Sequence, residues 1–245
     1  MAWVLYGFSF HNQGISRLIR NDGWNRFNIW SHSASVERLY EMRCRGRAEE
    51  LTCHGQIASL FQTVVTPGES LLDAGCGSGY FYHSLQRRGI SVDYFGIDAT
   101  DRFIEIGKRW LPEYGVPVEN LSTLRIEDLS AEVDHVACIN VLSNIDNYHK
   151  PLERLLLAAR KTLILRESCS EIASYSYVKD RFLDVGIDLN VHVNTYSVSE
   201  ITQFIESYGY DVNRVRDDRT NDQPEMVIGY PHHWKIFVCR RLSSS

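Results

Sequence analysis

The chain has 245 residues, and 26 Lys and Arg against 31 Asp and Glu give it a formal net charge of −5 at pH 7. A hydrophobic fraction of 44% and a charged fraction of 23% are ordinary for a folded globular protein and argue against disorder. The length suits one large α/β unit with a small appendage, and the lack of a basic run argues against a dedicated nucleic-acid binder.

The apolar segments and the cysteines predict a cytoplasmic protein. No apolar stretch reaches the roughly 18 residues that a membrane-spanning helix needs, and residues 1–10 lack the basic flank of a signal peptide. The six cysteines form no CxxC pair, so we expect reduced, mostly buried thiols and no metal site.

The first unit of the chain, residues 1–65, is predicted to be an arm with cap helices. Residues 1–30 mix aromatic and polar side chains and predict an irregular segment. Residues 34–64 predict one or two helices with a break near Gly46. The apolar side chains that recur there at helical spacing are Leu51, Ile57, Leu60 and Phe61.

The second unit, residues 66–245, begins with alternating strands and helices. The apolar runs predict strands at 70–75, 91–98, 121–129, 134–142 and 161–168. The segments between them predict helices at 80–89, 101–111 and 151–160. This order with short connections indicates an α/β fold with a doubly wound, mostly parallel sheet.

The end of the chain departs from this alternation. Residues 169–196 predict a small insert that acts as a lid, and Ser197 with Glu200 forms the pattern of a capping box at the start of a helix. Two final strands, 210–218 and 234–242, are expected to form an antiparallel pair at the sheet edge, joined by a long loop over 219–233.

A glycine-rich segment carries the strongest chemical signal. Gly75, Gly77 and Gly79 lie between the first strand and the helix after it, where glycines allow a tight turn and close approach of a ligand. Asp98 ends the next strand, 23 residues after Gly75, and a carboxylate there can accept hydrogen bonds from a ribose diol. Together they predict a nucleotide-type cofactor at the carboxyl ends of the strands.

The spacing of the glycines discriminates between cofactors. A dinucleotide fingerprint requires Gly or Ala at position 80, where this chain has Tyr80, so an NAD-dependent oxidoreductase is disfavoured. The pattern G-x-G-x-G after Asp73 resembles the class I S-adenosylmethionine-dependent methyltransferases. The resemblance extends over about residues 47–170 and implies a Rossmann-like fold with S-adenosylmethionine as the cofactor.

The resemblance also implies which residues contact that cofactor. Asp73, Gly75 and Gly77, with Cys76 between them, would line its amino-acid end, and Asp98 would hold the ribose hydroxyls. Further contacts would come from later segments. These are Ala99 and Phe103 at the ribose or adenine, Ile126 and Glu127 at the adenine, Asn140 and Val141 at the methionine chain, and Asn144 near the methyl group. The register at the adenine is open, because Arg125 can stand at the usual acidic position.

A polar segment before the glycine turn has two interpretations. Arg47, Glu50 and His54 fall at i, i+3 and i+7, so they would share one helix face. That face is either a solvated surface with an Arg–Glu pair or a cover over the cofactor. In the second case Arg47 would pair with the cofactor carboxylate, and Glu50 or His54 would approach the methyl acceptor.

Catalysis requires that the acceptor and the methyl carbon be held in line. His54 and His149 are the candidate general bases, because a neutral imidazole is available near pH 7. Arg166 ends an apolar strand, where a buried guanidinium needs Glu167, another carboxylate or an anionic ligand. His232 and His233 make a weak metal pair.

These observations predict methyl transfer to a small molecule, with no nucleic-acid or membrane partner. The acceptor atom is expected to be a hydroxyl of a sugar or specialised metabolite. The alternative is a non-catalytic protein that binds S-adenosylmethionine or S-adenosylhomocysteine, or a scaffold with the same fold.

Overall fold

An eight-stranded sheet forms the centre of the protein in the computed structural model, which describes residues 23–242. The part of the predicted arm before residue 23 lies outside the described residues. The α-helices of the described chain are α1 (Ala34–Cys44), α2 (Thr52–Gln62), α3 (Phe81–Arg87), α4 (Asp101–Trp110), α5 (His149–Ala158) and α6 (Val198–Ser207).

The strands follow the predicted alternation and then add two hairpins. The first five are β1 (Ser70–Ala74), β2 (Asp93–Asp98), β3 (Leu121–Thr123), β4 (Val133–Ile139) and β5 (Ala159–Ser170). The remaining seven are β6 (Tyr177–Lys179), β7 (Asn190–His192), β8 (Tyr196–Ser197), β9 (Tyr210–Val215), β10 (Glu225–Val227), β11 (Tyr230–His232) and β12 (Trp234–Arg241).

The sheet has the order β3-β2-β1-β4-β5-β12-β9, and β8 pairs with the end of β5. Strands β1 to β5 are mutually parallel, whereas β12 runs antiparallel to both β5 and β9. The predicted α/β doubly wound sheet with an antiparallel last strand is confirmed. The strand β12 lies inside the sheet, and β9 forms its edge.

Helices cover both faces of the sheet because its central strands are apolar on both sides. On β5, Leu163 and Leu165 pack into one hydrophobic cluster, whereas Ile164 points to the other, as the two-residue period of a strand requires. Helix α5 buries Leu152 and Leu155 in the first cluster, and α4 buries Ile104 in the second.

The helical face predicted for Arg47, Glu50 and His54 is wrong. Helix α1 ends in a Schellman arrangement at Gly46, whose φ is +65°, with the Arg47 N–H donating to the Met42 carbonyl and the Gly46 N–H to the Arg43 carbonyl. Helix α2 begins at Thr52, so the first two residues stand in the intervening loop and only His54 is helical.

Other features refine the predictions. The third strand is shorter than predicted, and the segment 121–129 continues as a 3₁₀ turn at Ile126–Asp128. The predicted loop over 219–233 contains the hairpin β10–β11, and the insert contains the hairpin β6–β7.

All six cysteines are free and buried. Between residues 23 and 242, no helix is long and apolar enough to cross a bilayer.

Candidate active site

A cavity of about 670 Å³ lies at the carboxyl ends of the parallel strands. The glycine turn and the ends of β2, β4 and β5 form its floor. The segment 24–30, the insert hairpin and the segment 219–234 contribute the remaining walls. The volume falls within the range of about 300–1,000 Å³ that small-molecule sites occupy.

The glycine turn leaves no room for side chains. Gly75 and Gly77 have φ values of +75° and +57°. A Cβ on Gly75 would lie 2.3 Å from Cγ2 of Val141, and one on Gly77 would lie 2.3 Å from Cε1 of Tyr40. Both positions therefore require glycine for conformation and for space.

Asp98 is fixed beside this turn. Its Oδ2 accepts the Gly77 N–H at 2.8 Å, and its Oδ1 accepts the Thr100 N–H at 2.8 Å. Burial raises the pKa of the carboxyl, and the two backbone donors oppose that shift. Because a carboxylate has about four acceptor positions, two remain for a ligand diol. Ala99 and Phe103 line the cavity beside it, and the ring of Phe103 stacks on Tyr40.

Asp73 lies deeper than Asp98, at the end of β1. It is 3% exposed, and its Oδ2 accepts the hydroxyl proton of Tyr94 at 2.8 Å. Burial raises the pKa of Asp73 to about 7. Asp73 and the neighbouring Cys76 still line the cavity floor.

Two consecutive residues of β5 hold the turn that follows β4. Glu167 is completely buried and accepts the N–H groups of Val141, Leu142 and Ser143 at 2.6, 2.7 and 3.0 Å. Arg166 donates from Nη1 to Oδ1 of Asn140, a residue with a φ of +61°. Glu167 was not predicted to hold this turn. The signal in the sequence was the position of Arg166 and Glu167, two consecutive charged residues at the end of an apolar strand.

Arg166 is neutralised by a residue far along the chain. Its Nε and Nη2 donate to the two carboxylate oxygens of Asp217 at 2.6 and 3.1 Å, and its guanidinium lies 4.5 Å from the centroid of Trp234. Of the alternatives left open by the sequence, another carboxylate is therefore the partner, and Glu167 is not. Arg166 still lines the cavity together with Asn140, Val141 and Asn144.

His54 lies in the cavity wall, where its ring stacks on Tyr80 with centroids 4.9 Å apart. Burial, with the charges of Arg43 and Arg166, lowers the pKa of His54 to about 3. The imidazole is therefore neutral at pH 7 but a weak base. His149 does not line the cavity. It is exposed at the start of α5, where its ring stacks on Tyr148.

Arg43, rather than Arg47, reaches the cavity. Arg47 is exposed in the loop after α1 and does not line the wall. Arg43 donates to the Tyr80 hydroxyl at 3.4 Å, and no carboxylate of residues 23–242 lies within 4.0 Å of its guanidinium. Arg43 was not predicted as a site residue. It lies three residues after Tyr40, on the same face of α1, and that spacing was visible in the sequence.

The residues predicted for the adenine side lie at the cavity. Ile126 is buried in its wall, and Arg125 and Glu127 both line it and pair with each other at 3.0 Å. No cluster of three or more metal-ligating side chains occurs between residues 23 and 242.

The residues present fit S-adenosylmethionine. The glycine turn offers bare backbone at positions where a Cβ would clash, and Asp98 keeps free acceptor positions beside it. Arg43 supplies a cation without a carboxylate partner in the described chain. These three features match a ligand with a diol and a carboxylate.

Comparisons with known proteins agree with this arrangement. A methyltransferase domain family model matches residues 48–215. The ubiquinone biosynthesis O-methyltransferase of Chromobacterium violaceum is 28% identical over 120 residues, which cover 47% of this chain and 46% of that protein. The chain therefore matches about half the length of this curated relative.

Solved structures show the same fold at low sequence identity. Magnesium protoporphyrin IX methyltransferase from Synechocystis PCC 6803, with bound SAH, is 14% identical with a TM-score of 0.59 over 89% of this chain and 100% of that chain. An amino pentose methyltransferase from Micromonospora echinaspora is 16% identical with a TM-score of 0.55 over 83% and 97%. With the family model matched over more than half of its length, the chain belongs to the methyltransferase domain family, among the class I S-adenosylmethionine-dependent methyltransferases with a Rossmann-like fold.

Proposed function

We propose that this protein transfers a methyl group from S-adenosylmethionine to a hydroxyl of a small molecule. The observation that carries the proposal is one cavity with two sets of lining residues. Asp98 and the glycine turn belong to the first set, which we name the cofactor end. Aromatic and polar side chains from the insert and the segment 219–234 form the second set, which we name the acceptor end. The O-methyltransferase among the relatives supports oxygen as the acceptor atom.

At the cofactor end, each residue has a defined task. Asp98 would hold the ribose diol, and Ile126 would pack on the adenine. Arg43 would pair with the cofactor carboxylate, the role that the sequence had assigned to Arg47. When bound, S-adenosylmethionine supplies an electrophilic methyl carbon on a positively charged sulfur. The turn 140–144 would contact the methionine chain of the cofactor. Glu167 fixes the backbone of this turn, and Arg166 fixes the side chain of Asn140.

At the acceptor end, the side chains are arranged to enclose a small molecule and exclude water. Hairpin β6–β7 contributes Tyr177 and His192, whose ring centroids lie 4.5 Å apart. The segment 219–234 contributes Arg219 and Glu225, which pair at 2.6 Å, so this wall carries little net charge. A charge-balanced enclosure favours a neutral acceptor.

Binding is tested with purified protein and S-adenosylhomocysteine by calorimetry. We expect Asp98→Asn to weaken binding by about tenfold or more, because the ribose diol loses a charged acceptor. Asp101→Asn is the matched control, since Asp101 is exposed at the start of α4. Binding of NAD instead of S-adenosylhomocysteine would contradict the assignment.

Activity is tested with radiolabelled S-adenosylmethionine and a panel of phenols and simple sugars, with products identified by mass spectrometry. We expect one acceptor class to be methylated on oxygen. Tight binding of S-adenosylhomocysteine without methylation of any panel member would favour the non-catalytic alternative.

A further inference from the structure

His232 is a buried imidazole at the acceptor end of the cavity. It ends β11, it is 2% exposed, and it lines the cavity wall. Its Nδ1 lies 3.4 Å from the carbonyl oxygen of Tyr230. Its Nε2 has no hydrogen-bond partner among residues 23–242, and it is not among the buried polar atoms that are sealed from solvent. Nε2 therefore keeps some accessible surface on a residue that lines the cavity.

The hydrogen bond at Nδ1 determines what Nε2 can do. A carbonyl oxygen only accepts, so Nδ1 carries the proton and donates it to Tyr230. In the neutral ring, Nε2 then has a lone pair and no hydrogen. It can accept a proton from a ligand hydroxyl, and a hydroxyl donor would satisfy a nitrogen that the described chain leaves unpaired.

The ring of His232 packs against Trp234, whose own position is fixed by further contacts. It stacks on Trp234 with centroids 4.8 Å apart, and the indole Nε1 donates to Glu225 Oε2 at 2.8 Å. Arg166 also lies over the indole ring, at 4.5 Å. Arg166 contacts Asn140 as well, so one side chain connects the wall that carries His232 with the turn at the cofactor end.

The charges around His232 favour a neutral ring that can gain a proton. Burial lowers its pKa, as do the charges of His233 and Arg166, whereas the Tyr230 carbonyl and Glu225 act in the opposite direction. The Tyr230 carbonyl and the Glu225 carboxylate therefore favour the imidazolium form of His232 against the effect of burial.

We propose that His232 is the catalytic residue that contacts the methyl acceptor and takes its hydroxyl proton on Nε2. The inference rests on the proposed function. As the acceptor oxygen bonds to the methyl carbon, the carbon–sulfur bond breaks with its electron pair on sulfur, and the O–H proton passes to Nε2. The positive charge moves from sulfur to the imidazolium, so atoms, electrons and charge balance.

Two substitutions separate this role from a structural one. His232→Asn keeps a donor for the Tyr230 carbonyl and removes Nε2, whereas His232→Gln places a non-basic amide near the position of Nε2. His233→Gln is the matched control, because His233 is only half-buried and does not line the cavity. With an acceptor from the panel, we expect both His232 variants to lower kcat by about 10²–10⁴-fold and to lose the acidic limb of the pH profile. S-adenosylhomocysteine binding should stay unchanged.

A readout without turnover keeps this test separate from the proposed function. In nitrogen NMR spectra of the complex with S-adenosylhomocysteine, we expect the neutral His232 ring to carry its proton on Nδ1. We also expect 4-nitrophenol to shift the resonance of His232 Nε2 when it binds to this complex, in the wild type and in His233→Gln, because its O–H then donates to that nitrogen. Both His232 variants should bind the phenol more weakly.

Each outcome decides the proposal. The Nε2-protonated tautomer, an Nε2 resonance that bound 4-nitrophenol leaves unchanged, or phenol binding that is equally tight in both His232 variants would overturn it. If the wild type methylates no acceptor but shows the Nδ1 tautomer and the shift of the Nε2 resonance, the proposed activity fails while the proton-accepting site stands.

Discussion

Arg166 and Asp217 form a two-point ion pair whose side chains are only 1% and 0% exposed. The two residues stand 51 positions apart, and Asp217 also accepts from the N–H and hydroxyl of Thr220. The pair therefore anchors the segment after β9 to the end of β5, directly beneath the cavity.

We expect Asp217→Ala to lower the free energy of unfolding by about 3–5 kcal/mol, because it leaves a buried guanidinium unpaired. Urea denaturation measures the change. The control is Glu37→Ala, which breaks the pair with Arg102, whose side chains are 39% and 61% exposed, and should cost about 1 kcal/mol or less. Equal losses in the two variants would contradict the anchoring role.

Gly77→Ala should weaken S-adenosylhomocysteine binding by about tenfold or more. The new Cβ would meet the ring of Tyr40 at 2.3 Å, and the φ of +57° disfavours any L side chain. Calorimetry measures the loss. Gly68→Ala has a φ of +85° but no atom within 4 Å of the new Cβ, so it reproduces the conformational cost without the contact. Its affinity should match that of the wild type.

Glu167→Gln should destabilise the turn after β4. The glutamine amide has one acceptor oxygen, whereas the carboxylate accepts three backbone N–H groups. Loss of these charge-assisted bonds should cost about 1.5–3 kcal/mol in unfolding free energy and weaken S-adenosylhomocysteine binding. Glu171→Gln, at an exposed position just after β5, is the control. A variant with normal stability and affinity would remove Glu167 from this role.

Acid should destabilise the protein by protonating Glu69, which lies at the end of the sheet opposite the cavity. Hydrogen bonds from His135, Lys161 and the Thr66 N–H hold the pKa of Glu69 at about 2, against the opposing effect of burial. The pKa of Glu69 is lower in the folded protein than the value of about 4.3 expected in the unfolded chain, so ionised Glu69 stabilises the fold above about pH 4.3. This stabilisation is lost as the pH falls from about 4.3 towards 2.

Thermal unfolding between pH 6 and pH 2.5 measures this effect. Glu69→Gln should reduce the dependence of Tm on pH in that window, because the titrating group is gone. Glu171→Gln should leave the slope unchanged, since that exposed side chain has no ion pair within the described chain. Identical slopes in Glu69→Gln and the wild type would refute the assignment.

Local patterns predicted the sheet and the glycine turn because both depend on short-range physics. Period-two and period-3.6 apolar residues marked the strands and helices. The glycines at 75, 77 and 79 after Asp73 carried the resemblance to the family. The break near Gly46 was also predicted, but it continues to residue 51, so Arg47 and Glu50 lie within it and share no helix face with His54.

The residues of the proposed acceptor end depend on contacts between distant segments. Arg166 meets Asp217 only because β12 and β9 complete the sheet beside β5. The same topology brings His232, which precedes β12, to the cavity. It leaves His149, which comes after β4, outside the cavity. The division of the chain at residue 65 stays a prediction.

The reversed direction of β12 determines where the segment before it lies. Because this strand starts where the parallel strands end, the hairpin β10–β11 reaches the cavity without crossing the sheet. The glycine turn and Asp98 follow other strands, so an insertion or deletion in this hairpin would leave their backbone connections intact.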